Sequence, residues 1–410
     1  MAEVKPEVET FAKIKVAGVG GSGGNAITRM IDCKLTGVDF VAINTDAQDL
    51  HACAAGEKIH IGKNLTRGLG AGMNPELGRQ AAEENRDEIQ EAFKGCDMVF
   101  VVYGAGGGTG SGAGPVVAEA AREAGALTVG VATKPFSFEG KQRMAIAEES
   151  LENLRDRVDT SITVQNDKLL QIVDRQTSLL NAFKIVDDVL RQGVQGISDL
   201  ITKPGIINVD FADIKSVIQD SGSALMGVGV ASGEDRAQKA AKQAIKSPLL
   251  DISIDGAKGI LFNITGGLDL TMMEINEAAG IITENIDSNA RIIFGATSDE
   301  TIKKDEIKIT VVATGFDNSG DLQGDFALNS DGEESDSEEE NSFKENEISS
   351  FLEDDVEAEI DSKNDFGSEN NFKKKEDKFD SKLFKEDESP LDDMDEDIEI
   401  PAFIRKKMGK

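Results

Sequence analysis

The sequence predicts an α/β fold: a Rossmann-like parallel-sheet domain, a long central helix, a second α+β domain and a disordered acidic C-terminal tail. Three observations predict it. Over residues 12–176 short apolar runs alternate with helix-like stretches, the βαβ pattern of a doubly wound sheet. Residues 177–203 carry one stripe of apolar side chains at helical spacing. From Asp317 onward 32 acidic residues face 12 basic ones, so −20 of the total charge of −32 lies in the tail and −12 before it.

The elements follow in order. "KIKVAGV", "VDFVAIN", "KIHI", "DMVFVVY" and "LTVGVAT" read as strands, and those that are apolar throughout suit strands buried on both faces. Between them "NAITRMIDC", "NPELGRQAAEENRDEIQEAF" and "GPVVAEAAREAG" read as helices. The central helix runs from Ser178 to Thr202, with Leu179, Phe183, Val186, Leu190, Val194, Ile197 and Ile201 on one face. Pro204 and Gly205 stop it. Over residues 204–316 "FADIKSVIQ", "DRAQKAAKQAI" and "LTMMEINEAAGIITENI" read as helices. "SALMGVGVA", "AKGILFNITG", "ARIIFGAT" and "IKITVVATGF" read as strands. Residues 317–397 hold too few apolar groups to fold and form a linker. Residues 398–410, "IEIPAFIRKKMGK", turn apolar and then basic, a peptide distinct from the linker.

Composition narrows the function. No apolar run is long enough to span a bilayer, and "MAEVKPEVET" lacks the basic-then-apolar pattern of a signal peptide. The expectation is a cytoplasmic chain. Cys33, Cys53, Cys96, His51 and His60 are too few and too scattered for a disulfide framework or a zinc site. The negative charge argues against nucleic acid as a partner.

Two glycine-rich stretches carry the chemistry. "GVGGSGGNAI" joins the first strand to a helix, and "VVYGAGGGTGSGAGP" joins another strand to a helix that Pro115 is suited to open in its first turn. Bare backbone at a helix N-terminus can cradle an anion. Gly18, Gly20 and Gly23 fit GxGxxG, and Asp46 closes the next strand where a ribose-binding acid can sit, so an NAD-dependent oxidoreductase is one reading. A tight glycine turn with no ligand explains that first stretch equally well. A dinucleotide needs one such loop, whereas two suggest a polyphosphate held from both sides. No GxxxxGK[ST] is present, which excludes a P-loop with its lysine.

"GAGGGTGSG" resembles the signature of the tubulin/FtsZ superfamily. "VGGSGGNAI", "INTDAQDL", "GLGAGMNPELGRQAAEE", "TKPFSFEGKQR", "NDKLL", "NVDFADI" and "IPAFIRKK" resemble FtsZ-family motifs in FtsZ order, across nearly the entire chain. Ala105 and Ser111 stand where the family often has Met and Thr, and Ser22 interrupts its glycine run. The resemblance implies a GTPase domain over 12–176, with GTP and GDP as ligands and Mg²⁺ bound with the nucleotide. It implies phosphate contacts from Gly21, Ser22, Gly23, Gly24, Asn25, Gly108, Thr109 and Gly110. Glu139 would bind ribose hydroxyls, with Arg143 near the sugar and phosphates, while Asn166, Phe183 and Asp187 would hold guanine. Guanine offers N1–H and N2–H donors, which a carboxylate accepts, and Phe183 lies one helical turn from Asp187. Read alone, Glu139 and Arg143 would be a surface helix pair, and Phe183 a core residue.

In "NVDFADI", Asp210 and Asp213 are the catalytic candidates; an N-cap and a first-turn acid are also ordinary helix-start chemistry. Asp187 lies 17 residues before Pro204, about 25 Å along a helix. Asp210 is then out of reach of the γ-phosphate of its own molecule. The family completes its GTPase site between subunits stacked head to tail, and open-ended contacts of that kind generate filaments. The resemblance further implies a homo-polymer forming the cytokinetic ring of dividing bacteria, at midcell on the inner face of the membrane. Residues 398–410 would bind membrane-tethered adaptors of the FtsA or ZipA kind, with no direct membrane insertion. A tubulin-like filament with a non-division role shares the glycine motifs but not the terminal peptide.

Overall fold

The computed structural model describes residues 12–316 apart from 170–177, 204, 248–253, 255, 285, 288, 300–301 and 304. The acidic linker, the terminal peptide and the helix stop assigned to Pro204 lie outside the described residues.

The first half alternates as its sequence requires: β1 (Ile14–Val19), α1 (Gly20–Asp32), β2 (Asp39–Asn44), α2 (Ala47–Ala52), β3 (Glu57–His60), α3 (Lys63–Thr66), α4 (Pro75–Glu84), α5 (Arg86–Phe93), β4 (Met98–Gly104), α6 (Gly108–Glu123), β5 (Leu127–Lys134), α7 (Lys141–Arg155), β6 (Thr160–Gln165) and α8 (Asn166–Leu169). The stretch "NPELGRQAAEENRDEIQEAF", read as one helix, breaks at Asn85 into α4 and α5. These six strands are parallel in the order β3-β2-β1-β4-β5-β6. The chain therefore works outward from β1 to β3 and returns to the other flank of β1 at β4, which makes the β1–β4 boundary the switch point of the sheet.

Alternation along β4 serves two cores. Phe100 and Val102 pack on one face with Ala26, Ile27 and Met30 of α1. Val99, Val101 and Tyr103 pack on the other with Ala113, Val117 and Ala121 of α6. Burial on both faces is why the strand is apolar throughout.

The second half contributes α9 (Leu179–Thr202), α10 (Phe211–Ile218), β7 (Gly222–Ser232), α11 (Arg236–Ile245), β8 (Gly259–Gly266), α12 (Met272–Thr283), β9 (Arg291–Ser298) and β10 (Glu306–Thr314). Ser178 Oγ accepts the Asn181 N–H at the start of α9, and the predicted apolar face is buried at Val186, Leu190, Val194 and Ile197. β7 pairs in parallel with β6 through Thr160–Ile162, and β10 lies antiparallel between β7 and β8. The described strands thus form one ten-stranded sheet ending in β9.

Candidate nucleotide-binding site

Helix α1 leaves β1 and helix α6 leaves β4, so two helix N-termini flank the switch point from opposite faces. Neither is capped. The N-cap positions are Val19 and Gly107, without a capping side chain, and neither first turn holds an acid. Asp46, Asn74, Ser178 and Thr271 cap α2, α4, α9 and α12, whereas α3, α5, α7, α10 and α11 also lack a capping side chain; what sets α1 and α6 apart is that both bare ends meet at the switch point. Uncapped N–H groups together with two helix dipoles favour an anion at this place. Asp46, which the dinucleotide reading placed on a ribose, spends its carboxylate on the N–H groups of Gln48 and Asp49.

The structure corrects the sequence at both glycine stretches. They were expected to be loops preceding helices, with Pro115 in a first turn. Instead the helices begin at Gly20 and Gly108, and Pro115 lies inside α6. Close packing outweighs the poor helix propensity of glycine. Gly20 has φ +70°, and a Cβ there would lie 2.9 Å from the Gly110 amide nitrogen, so the two termini abut.

A third segment joins them. A Cβ on Gly108 would lie 2.8 Å from Asn74 N and 3.0 Å from Ala71 Cβ. The segment around Ala71 is bent by left-handed residues at Gly70, Gly72 and Met73. Thr45 Oγ1, just after β2, lies 2.6 Å from Thr109 Oγ1 and ties the two strands' exits together. Neither Ala71 nor Thr45 was singled out from the sequence. Both lie in stretches that resemble family motifs, "INTDAQDL" and "GLGAGMNPELGRQAAEE", without either residue standing out in them.

Beyond β5, Glu139 Oε2 pairs with Arg143 Nη1 at 2.7 Å, and Glu139 Oε1 accepts the Phe136 N–H. The pair expected at this spacing forms, but not within one helix. Glu139 ends a single 3₁₀ turn, Gly140 has φ +101°, and Arg143 belongs to α7. Arg143 also lies against the α6 loop: a Cβ on Gly106 would come within 2.8 Å of its carbonyl oxygen. Its Nε is buried without a hydrogen bond.

Asn166 follows β6 and is 4% exposed, with Oδ1 buried and unpartnered. Phe183 is 40% exposed, which sets aside the pure core reading; its ring meets Phe136 edge-on at 5.5 Å. Asp187 and Asp188 differ physically. Asp188 accepts hydrogen bonds from Arg191 Nε and Gln192 Nε2. Against the upward push of burial, these partners hold its carboxyl below the usual range. For Asp187 no such partner is recorded among the described residues, and burial pushes its pKa up to about 6, with the Arg29 guanidinium opposing. A groove of about 380 Å³ lined by Arg29, Asn181, Lys184 and Asp188 runs between α1 and α9 beside it.

The expected phosphate, sugar and base residues thus gather at the C-terminal ends of β1, β4, β5 and β6 and on the start of α9. Asp210 and Asp213 are not brought there. Thr202, at the far end of α9, meets the site of Gly37, which precedes β2. The Ile218 carbonyl at the end of α10 accepts from Thr160 Oγ1, the first residue of β6. α10 therefore sits at the N-terminal edge of the parallel strands. The seven residues of β4 separate the two edges, about 20 Å. Asp210 occupies the N-cap position of α10, yet its side chain caps nothing, and both carboxylates are exposed.

This is the architecture of the tubulin-like GTPases. Residues 13–174 match the family model of the Tubulin/FtsZ family, GTPase domain, and residues 222–317 that of the FtsZ family, C-terminal domain. FtsZ of M. jannaschii, solved as an empty dimer, is 49% identical over 75% of this chain and 89% of that one, with a TM-score of 0.72. A point mutant of the same protein matches at 49% identity over 75% and 92%, again with a TM-score of 0.72. CetZ2 from Haloferax volcanii, solved as a GTPγS-bound protofilament, shares the fold at 22% identity over 75% and 94%, with a TM-score of 0.65. The chain belongs to the FtsZ family of the tubulin/FtsZ superfamily.

Proposed function

We propose that this chain is a self-polymerising GTPase of the cytokinetic ring, whose GTP is hydrolysed between subunits stacked head to tail. One observation carries the reading: the uncapped helix N-termini and the exposed carboxylates of Asp210 and Asp213 occupy opposite edges of one sheet. A second copy stacked on the first brings the aspartates of one to the nucleotide of the other. Exposed apolar side chains favour such stacking, with Leu69 82% and Phe138 63% exposed near the nucleotide edge and Ile206 62% exposed near α10.

In this reading the N-terminal amides of α1, with Gly21, Ser22, Gly23, Gly24 and Asn25, and those of α6, with Gly108, Thr109 and Gly110, hold the phosphates. Arg143 adds positive charge, Glu139 takes the ribose hydroxyls, Phe183 stacks on guanine, and Asp187 and Asn166 Oδ1 accept its N–H groups. Among the described residues no group of three or more His, Cys, Asp or Glu is arranged to hold a metal ion. A Mg²⁺ ion bound with the nucleotide would offset the phosphate charge. Asp210 and Asp213 orient and polarise the attacking water.

No described helix is long and apolar enough to cross a membrane. Attachment at the division site falls to residues 398–410 and a membrane-tethered adaptor of the FtsA or ZipA kind. The acidic linker is repelled by an anionic membrane and acts as a spacer. Sedimentation with GTP, GDP and no nucleotide, alongside GTP turnover at rising protein concentration, tests the proposal. Polymer should pellet with GTP alone, and turnover per subunit should climb from near zero as subunits meet. Turnover independent of concentration would refute hydrolysis between subunits.

A further inference from the structure

Helix α6 contains an interruption that its own sequence creates and a side chain of another helix repairs. Pro115 lies inside the helix, so the Ser111 carbonyl, four residues earlier, has no N–H from that position to accept. That carbonyl instead accepts a hydrogen bond from Ser150 Oγ of α7 at 3.0 Å. Ser150 Oγ also lies 3.1 Å from the Tyr103 hydroxyl. A serine has one hydroxyl hydrogen, and this one is committed to the carbonyl, so Tyr103 is the donor to Ser150. Burial pushes the Tyr103 phenol up, which keeps that hydrogen in place. The ring passes beneath α6 where glycine leaves room: a Cβ on Gly114 would lie 2.7 Å from Tyr103 Cε1. Ser111 then reaches the other way, its Oγ accepting the N–H of Gly106 at 2.8 Å. Gly106 has φ +94° and shapes the loop entering the helix. Tyr103, Ser111 and Ser150 are all buried.

We infer that Tyr103 and Ser150 are positioning residues of the phosphate cradle: their hydrogen-bond chain, through Ser111, fixes loop 105–107 and the first turn of α6. The inference rests on the reading of that turn as phosphate-binding. Both side chains are buried and bond to each other and to the Ser111 carbonyl, so they act through Ser111. Removing the Ser150 hydroxyl orphans a buried carbonyl and a buried phenol, and an orphaned pair is costly enough to shift the segment that carries it.

The chain has one Tyr and no Trp, so full-length protein containing 3-fluorotyrosine gives a single ¹⁹F signal from Tyr103. GDP and GMP are titrated by calorimetry into wild type, Ser150→Ala, Ser150→Thr and Tyr103→Phe, with the ¹⁹F signal followed in the first three. GDP should shift the wild-type signal. Ser150→Ala should weaken GDP about tenfold and Tyr103→Phe about threefold, with GMP changed less, so that the preference for the diphosphate falls. Ser150→Thr keeps a hydroxyl and should stay within about twofold of wild type. Where Ser150→Ala does not fold, Tyr103→Phe and Ser150→Thr carry the same comparison. A merely structural role would lower thermal stability while leaving the GDP-over-GMP preference of the folded protein intact, and that result overturns the inference alone. Wild type that binds no GDP would instead overturn the nucleotide reading and this inference with it.

Discussion

Asp187 joins two facts that bear on pH: it has no recorded hydrogen-bond partner among the described residues, and burial raises its pKa to about 6 against the opposing Arg29. In the proposed site its ionised form is the one that accepts from both guanine N1–H and N2–H. Below about pH 6 the unliganded protein holds a proton there that the nucleotide must expel, so affinity falls by up to about tenfold per pH unit. The terminal phosphate of GDP titrates in the same range, and Asp187→Asn isolates the carboxylate's share. GDP calorimetry from about pH 5 to 8 should give a steeper fall for wild type than for the variant, which also binds less at neutral pH. Superimposable profiles would rule out Asp187 as the base acceptor. Stability of the unliganded fold runs the other way. A carboxyl whose folded pKa is raised gains stability as pH falls through about 6, and the gain is complete below its unfolded value near 4. In the sequence Asp187 and its neighbour Asp188 differ only in spacing from Phe183, which favours Asp187; that Asp188 is already engaged by Arg191 and Gln192 is a property of the folded chain. The same holds for the unpartnered Oδ1 of Asn166.

Gly107 shows what the uncapped helices give up. It sits at the N-cap of α6 with φ −93° and ψ 174°, and a Cβ there would meet nothing within 4 Å. An aspartate fits and accepts the first-turn N–H groups. Gly107→Asp should stabilise the unliganded protein by a few tenths of a kcal/mol. It should weaken GTP about a hundredfold, because the donors are taken and a negative charge faces the phosphates. Gly107→Ala leaves the donors uncapped and should keep most of the affinity. Thermal melts and nucleotide titration read both effects, and wild-type GTP binding by Gly107→Asp would remove α6 from the phosphate site. The starts of α1 and α6 were also the elements least legible in the sequence. Glycine propensity argues for loops there, and only packing such as Gly20 against Gly110 reverses it. Strands like β4, apolar because both faces are buried, were legible directly, as was α9 to within a residue. The placement of β10 between β7 and β8 leaves no local mark, since strand pairing is fixed by partners distant in the chain.

The proposed division of the site between opposite edges of one sheet makes a prediction about mixtures. Asp213→Ala keeps both helix N-termini and should bind GTP and assemble, yet lose most turnover and give long-lived polymer. Gly107→Asp keeps Asp210 and Asp213 but lacks the phosphate cradle, so it too should be inactive alone. In a mixed filament the GTP of an Asp213→Ala subunit faces the intact aspartates of a Gly107→Asp neighbour, and that interface is complete. With equal amounts and random stacking about a quarter of the interfaces are of this kind, so turnover should reappear toward that fraction of the wild-type rate. The measurement is phosphate release from each variant alone and from the mixture at constant total protein, with sedimentation to verify that both enter the polymer. A site completed within one molecule admits no such rescue: both proteins would pellet together and the mixture would release phosphate no faster than the two did apart. Recovery of activity on mixing can arise only if the residues on the two edges belong to different subunits when GTP is cleaved.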